Sequence, residues 1–396
     1  ILRPMSNEFL SQRSTLSGYS GALITGLGTA TPRHQANHQT SAEFATRISA
    51  VPADDARKVK ALYRRTGINQ RGSVLLDGPA ESQIHNDFYT PAENIDDRGP
   101  STQTRNDRYR IEAPLLAEQA ARAALESSGL ECNAITHLIT VSCTGFNAPG
   151  IDIALIDQLE LPPTTQRIHV GFMGCHAAIN GLRAARGILA AQTHAKVLLC
   201  CVEICSLHYQ YGMLSDHLVS NAIFADGSAA LILENFSARQ SSSDPPGTGN
   251  PQSLCPVGFI ENTGSFLVPN SRDAMTWSIG DHGYQMTLSA SVPALIEQHL
   301  KEYLAGFLAQ HDEEIESIGG WAVHPGGTRI LSAVENALSL SGEQLNGSRS
   351  ILSEHGNMSS ATMIFILETF VKLNQPKPWL MLGFGPGLEI EVSLIR

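Results

Sequence analysis

Apolar residues in this chain follow two rhythms. Unbroken runs such as HLITVSC at 137–143 and KVLLCCV at 196–202 are too short for helices and predict strands buried on both faces. Residues 22–31, ALITGLGTAT, predict an earlier strand ending in a glycine-rich turn. Elsewhere apolar positions recur every three or four residues. That spacing predicts helices over 41–63, over 111–128 with Leu115, Leu116, Ala120, Ala123 and Leu125 on the apolar face, and over 150–159. Residues 167–170 predict a strand that stops at the glycines of 171–174, and a helix then begins at Cys175 or His176 with Ile179, Leu182 and Leu189 on one face. SNAIFADGSAALIL at 220–233 predicts a small-residue turn and another strand, whereas 71–110, rich in Asp, Asn, Pro and Arg, predicts irregular surface chain. Alternating strands and helices imply an α/β protein.

The Ser-, Pro- and Gly-rich stretch 237–256 predicts a linker between an N-terminal half, 1–236, and a C-terminal half, 257–396. The halves carry a faint duplication. HLITVSCTG, QRIHVGFMGCHAAINGL and AKVLLCCVE in the first run parallel to GGWAVHPGG, SRSILSEHGNMSSATMIFIL and PWLMLGFGPG in the second, each with a strand, a strand–Gly–polar–helix unit and a further strand. Superposed, Cys175 matches Asn357 and Cys143 matches His324, so packing about a pseudo-twofold would bring these ends to one site.

Composition narrows the class. With 42% apolar and 16% charged residues, 396 residues suffice for a large soluble core. A net charge of −11 without a dense basic run argues against nucleic acid or an anionic membrane as main partner. No apolar run reaches the roughly 18–20 residues of a spanning helix, and ILRPMSNEF lacks a signal-peptide pattern. The seven cysteines show no zinc-type spacing with histidine, so reduced thiols and a cytoplasmic location are expected, with no metal.

A cysteine where a strand turns into a helix meets backbone N–H groups that lack helical partners, and these and the helix dipole favour its thiolate. Cys175 holds that position. His324, in WAVHPGGTRI, follows an apolar strand and precedes a glycine turn, and Asn357, in SEHGNMSSAT, sits at another turn among small residues. A thiolate accepts an acyl group from a thioester. An imidazolium beside it would keep it ionised, and imidazole and amide N–H groups would hold an enolate or oxyanion. The set suits decarboxylation of a malonyl thioester and attack of the carbanion on an enzyme-bound acyl group.

GFMGCHAAINGL, WAVHPGGTRIL, ILSEHGNMSSATMIFIL and LMLGFGPGLEIE resemble the motif set of type III polyketide synthases, the chalcone synthase-like family of the thiolase superfamily, in its bacterial form. The resemblance runs from about Gly21 to the C-terminus in matching order. It implies a five-layered αβαβα thiolase fold with duplicated halves, a homodimer, and malonyl-CoA with an acyl-CoA starter as substrates. It implies no further cofactor.

By position, the resemblance makes Cys175 the acyl-bearing nucleophile and gives His324 and Asn357 the support of decarboxylation. Phe224 matches a gatekeeper phenylalanine, and the second gatekeeper position carries Met286. Cys143, Thr144, Cys205, His208, Trp277 and Ser359 fall on substrate-cavity positions, and Lys58 and Arg65 fall nearest the family's CoA-binding basic positions. Ala61 occupies the middle basic position, so Arg57, Lys60 or Arg64 would substitute there. Trp277 stands where chalcone synthase carries a glycine, and it is expected to fill volume that a coumaroyl tetraketide needs. The expected product is an alkylpyrone or alkylresorcinol from a fatty acyl starter. The alternatives are a tetrahydroxynaphthalene- or chalcone-type synthase, a ketoacyl-acyl-carrier-protein synthase III-like enzyme, and an inactive acyl-CoA-binding scaffold.

Overall fold

The computed structural model describes residues 21–49, 51–78, 84–237 and 256–396. In chain order these form β1 (Ala22–Ala30), β2 (Gln35–Asn37), α1 (His38–Ile48), α2 (Ala53–Arg65), β3 (Gln70–Gly72), α3 (Thr102–Ser128), β4 (His137–Ser142), α4 (Ile151–Gln158), β5 (Gln166–Gly171), α5 (Ala177–Ala191), β6 (Lys196–Ile204), α6 (Ser215–Ile223) and β7 (Asp226–Asn235). The second part holds β8 (Gly258–Leu267), β9 (Met275–Gly280), β10 (Gly283–Leu288), α7 (Val292–Ala309), β11 (Gly320–Val323), α8 (Thr328–Leu338), α9 (Asn346–His355), α10 (Thr362–Leu373), β12 (Trp379–Gly385) and β13 (Glu389–Ile395).

Side chains alternate across a strand, and the burial of alternate residues sorts the molecule into layers. Val197, Leu199 and Cys201 of β6 join one apolar cluster with Ile179 and Leu182 of α5 and Ile364 and Leu367 of α10. Their neighbours Leu198, Cys200 and Val202 point the other way, onto Leu116, Ala120 and Ala124 of α3. In the second half Met381 and Ile395 face the central helices, whereas Leu380, Leu382, Val392 and Leu394 pack on α7 and α8. The five-layered αβαβα order is therefore α3, a sheet, α5 with α10, a sheet, and α7 with α8. The two sheets are continuous, because β1 pairs with β8 over Ala22–Ile24 and so joins nine strands in the order β11-β12-β13-β8-β1-β7-β6-β4-β5. The hairpin β9–β10 forms a separate two-stranded sheet.

Several expectations need correction. The helix expected over 41–63 is two helices, because Pro52 has no N–H to continue α1 and instead stands before the first turn of α2. Helix α3 starts at Thr102, capped by the Ser101 side chain, well before residue 111, and Leu115 is exposed. Residues 71–110 are not all at the surface, since Ile84, Tyr89 and Arg105 are buried. Residues 346–355 form helix α9 rather than the strand that the duplication implied, with Ser348, Ile351 and Leu352 buried at helical spacing. Apart from its two ends, the linker expected at 237–256 lies outside the described residues, as do Cys255 and residues 1–20.

Close packing of α3 on β1 depends on two missing side chains. A β-carbon on Gly26 would lie 2.3 Å from the Ala124 carbonyl oxygen, and one on Gly28 would lie 2.4 Å from that of Ala120. Both obstacles are helix backbone and cannot swing aside. Gly28→Ala should therefore lower stability by at least about 2 kcal/mol, read as a shift of the urea midpoint. Gly187→Ala, in α5 with nothing within 4 Å, should raise stability by about 0.5–1 kcal/mol. Equal effects at the two positions would refute this account of the packing.

Candidate active site

The strand β5 ends at Gly171, and α5 begins six residues later. Between them Gly174 adopts φ +88°, and a β-carbon there would lie 2.3 Å from Cδ of Pro386 in the GFGPG stretch. Only glycine suits that turn. It delivers Cys175 to the helix start, partly exposed in an apolar pocket of about 440 Å³ also lined by Cys143, Thr144, Cys205, Phe224, Trp277, Met286 and Ser359. Asn357 is buried, Ser359 lines the pocket with Cys175, and both side chains favour the ionised form of the thiol. Backbone bonds fix Asn357 there: its N–H donates to the Ile223 carbonyl at 2.9 Å, and its own carbonyl accepts from Ala225 at 2.9 Å. Phe224 lies between those two residues, so the bridge ties the two halves of the chain together at the pocket.

His324 is buried at the end of β11, its N–H bonded to the Leu382 carbonyl of β12 at 2.7 Å. Neither ring nitrogen has a hydrogen-bond partner among the described residues. Buried polar atoms are rarely left so, and an imidazole of this kind is available to a ligand. The sequence predicts a thiol lowered by the helix dipole and an imidazolium beside it, but both groups are shifted the opposite way. Burial, reinforced by the Glu203 carboxylate, pushes the Cys175 thiol up to about 12 against the pull of Ser359 and Asn357. Burial and, secondarily, the neighbouring His176 hold His324 down at about 3. These shifts are the cost of charging either group alone.

The floor of the pocket is built on Glu203, a carboxylate that the sequence reasoning missed. It lies in β6, wholly buried, and accepts from the Cys143 N–H at 3.0 Å, the Thr144 hydroxyl at 2.8 Å and the Ser360 hydroxyl at 2.5 Å. Burial raises its pKa, and these donors oppose the rise. The one charge in the otherwise apolar run VLLCCVEIC was the available signal. The Cys143 sulfur accepts from the Gly174 N–H at 3.1 Å, so the second thiol braces the turn that carries the first.

The remaining positions divide. His208 donates from Nε2 to the Thr144 carbonyl at 2.7 Å, accepts the Tyr284 N–H on Nδ1 at 3.0 Å, and stacks on the Tyr284 ring at 4.1 Å. Both its nitrogens are thus occupied, and burial holds its pKa down at about 3. Trp277 donates its indole N–H to the Cys143 carbonyl at 2.8 Å and faces Met286 across the β9–β10 ladder. Together with Cys205 and Phe224 it also lines a second cavity, partly open to solvent and walled by Phe44, Leu75, Leu76, Ile84 and Tyr89. Lys58 and Arg65 are exposed on α2, away from the pocket linings, and Lys58 pairs with Asp55 at 2.6 Å. The six described cysteines are free thiols, and no described helix is long and apolar enough to cross a membrane.

Comparison with known proteins places this geometry. The family model "Chalcone and stilbene synthases, N-terminal domain" matches residues 10–235, and its C-terminal counterpart matches residues 260–396. The chain is 28% identical to "Alpha-pyrone synthesis polyketide synthase-like Pks18" of Mycobacterium tuberculosis, over 94% of this chain and 90% of that protein. It is also 28% identical to "Probable polyketide synthase 1" of Dictyostelium discoideum, over 97% of this chain but only 12% of that much longer protein. Among solved structures, PKS-I from the brown alga Ectocarpus siliculosus superposes with a TM-score of 0.85 at 29% identity, covering 96% of this chain and 99% of that one. The C-terminal type III polyketide synthase domain of Steely1 from Dictyostelium superposes at 0.81 and 26% identity, covering 95% and 99%. With its thiolase fold and both family domains in place, the chain belongs to the chalcone and stilbene synthases, the type III polyketide synthases, acyltransferases that act on CoA thioesters by Claisen condensation.

Proposed function

We propose that this enzyme loads a fatty acyl starter from its CoA thioester onto Cys175, extends it with malonyl-CoA, and releases an alkylpyrone or alkylresorcinol. The observation that carries this reading is the second apolar cavity, which meets the Cys175 pocket at a wall of Cys205, Phe224 and Trp277. A long acyl tail can leave the reacting carbonyl and lie among Phe44, Leu75, Leu76 and Ile84. The small pocket around Cys175 then has to hold only the growing polyketide end. The α-pyrone named for the mycobacterial relative is in keeping with such a product.

In this mechanism His324 takes the thiol proton as the sulfur attacks the starter thioester, and the CoA thiolate leaves. Malonyl-CoA then enters, and its thioester oxygen accepts hydrogen bonds from the His324 ring and the Asn357 amide, the donor set for an enolate. Loss of CO2 gives that enolate. Its carbon attacks the acyl carbonyl, a C–C bond forms, and the Cys175 thiolate is expelled. Phe224 and Met286 flank the passage, and Arg65 and Lys58, once released from Asp55, receive CoA phosphates. A second reading rests on Cys143, whose thiol lines the same pocket: a tetrahydroxynaphthalene-type synthase that would start from malonyl-CoA alone.

A panel of acyl-CoA starters from two to sixteen or so carbons, analysed by mass spectrometry, separates these readings. Long starters should give the highest kcat/KM, and each CH2 accommodated in the apolar cavity is worth up to about 0.8 kcal/mol. Products from malonyl-CoA alone, with no gain from any starter, would favour the second reading. Trp277→Ala opens the shared wall and should move the preferred starter length by two carbons or more. An unchanged preference would remove the wall from the account.

The proton transfer is tested by alkylation of Cys175 with iodoacetamide across pH. With His324 replaced by alanine the thiol loses its proton acceptor, while burial and Glu203 still oppose ionisation. Its reactivity should then climb only at clearly higher pH than in the wild type. Coincident profiles would show that His324 takes no proton from the sulfur.

A further inference from the structure

Next to the reactive thiol lies a second imidazole, His176, which the mechanism above does not use. Its ring is wholly buried in a niche left by the GFGPG stretch. A β-carbon on Gly385 would fall 2.2 Å from His176 Nε2, and one on Gly383 would fall 2.7 Å from its Cβ.

The hydrogen on this ring can be placed from its neighbours. Glu391 is a buried carboxylate held by Arg183 and by the Ser265 hydroxyl at 2.6 Å, and it only accepts. The Asn180 amide nitrogen donates to it at 2.9 Å. That turns the Asn180 oxygen toward His176 Nδ1, 3.0 Å away, and an amide oxygen also only accepts. The hydrogen of a neutral His176 therefore sits on Nδ1, and Nε2 presents a bare lone pair. Nε2 is buried, has no hydrogen-bond partner among the described residues, and faces Oε2 of Glu389 at 3.5 Å. Two lone pairs facing each other in a low-dielectric interior repel, and a single proton between them satisfies both.

We propose that His176 and Glu389 hold one proton between them behind the reactive thiol, and that His176 thereby acts as a positioning residue whose partial charge keeps His324 in its proton-accepting form. Burial raises the Glu389 carboxyl, with the nearby Glu391 adding to the effect, and burial lowers His176, so the proton affinities of the two groups converge. His324 bonds the Leu382 carbonyl and His176 Cβ lies against the next residue of β12, Gly383, so both imidazoles flank the same stretch of strand; after burial, His176 is the second influence holding His324 down. The charged and titratable groups around the pair are Arg183 on the same helix, Glu391 beside Glu389 on β13, His324 at the end of β11, and Tyr303 of α7, which these carboxylates also affect. The Glu389 side chain is 27% exposed, which gives the shared proton a route to solvent. The positioning role rests on the function given to His324 above, whereas the shared proton does not.

Nitrogen-15 NMR of histidine-labelled enzyme distinguishes a protonated ring nitrogen from a bare one, and the resonance missing from His176→Phe assigns the signal. Near neutral pH the wild-type Nε2 should read as protonated or as exchanging between the two forms. It should read as bare in Glu389→Gln, whose amide donates a hydrogen bond but cannot share a proton. A bare Nε2 in the wild type overturns the shared proton. Alkylation of Cys175 by iodoacetamide, which needs His324 to accept the thiol proton, then tests the consequence. The ratio of the rate at about pH 5.5 to that at about pH 8 should fall at least about twofold in both variants, because His324 protonates more readily without the neighbouring charge. An unchanged ratio, including an equal loss of rate at both pH values, overturns the positioning role. Should His176→Phe fail to fold, Glu389→Gln, altered at a partly exposed carboxyl, carries the rate test alone and the wild-type signal is assigned from its change in Glu389→Gln. The spectrum needs no turnover, so failure of the role given to His324 and failure of the shared proton leave different traces.

Discussion

The site depends on one buried carboxyl group. Glu203 has no access to water, and a carboxylate in that position is tolerable only if its lone pairs are filled. The donors that fill them come from the end of β4, through Cys143 and Thr144, and from Ser360 just before α10. Two segments far apart in sequence are thus held to one group on a third. Oε1 accepts from the Ser360 hydroxyl, and removing that donor would cost about 1–3 kcal/mol. The same carboxylate raises the cost of ionising Cys175.

Around that anchor, backbone rather than side chains sets the distances. The bridge between Phe224 and Asn357 joins the halves with two main-chain hydrogen bonds, and Gly174 lets the cysteine turn close onto Pro386. The GFGPG stretch therefore acts at the site without contributing a reactive group. Its glycines admit the His176 ring, and its proline fits where the side chain of residue 174 is absent.

Much of this was legible in the sequence because local chemistry and fold agree. The junction before Cys175 is punctuated by glycines, the strands β4 and β6 are unbroken apolar runs, and Asn357 lies among small residues at a turn. What was not legible depends on burial that a period cannot report. Glu203 reads as a flaw in a strand, and its role appears only when three distant donors meet it. His176 is overshadowed by the cysteine before it, since the lone pair that singles it out is fixed by Asn180 and by Glu391, more than two hundred residues on. Residues 346–355 were misread because the duplication suggested a strand where the spacing of Ser348, Ile351 and Leu352 fits a helix. His208, expected simply to face substrate, spends both nitrogens on the main chain.

Trp277 stands on β9, whose only strand partner among the described residues is β10. The hairpin lies outside the nine-stranded ladder and is tied to the rest of the chain by the indole bond to Cys143 and by main-chain bonds from Gly387 to Met275 and from Thr102 to Asp281. Descendants of this enzyme could therefore exchange residues on the hairpin and accept new starting materials while every reacting atom kept its place. Under the proposed function, Trp277 helps select the starter from a hairpin that carries none of Cys175, His324 and Asn357, and a lineage built this way can diversify its products without first relearning its chemistry.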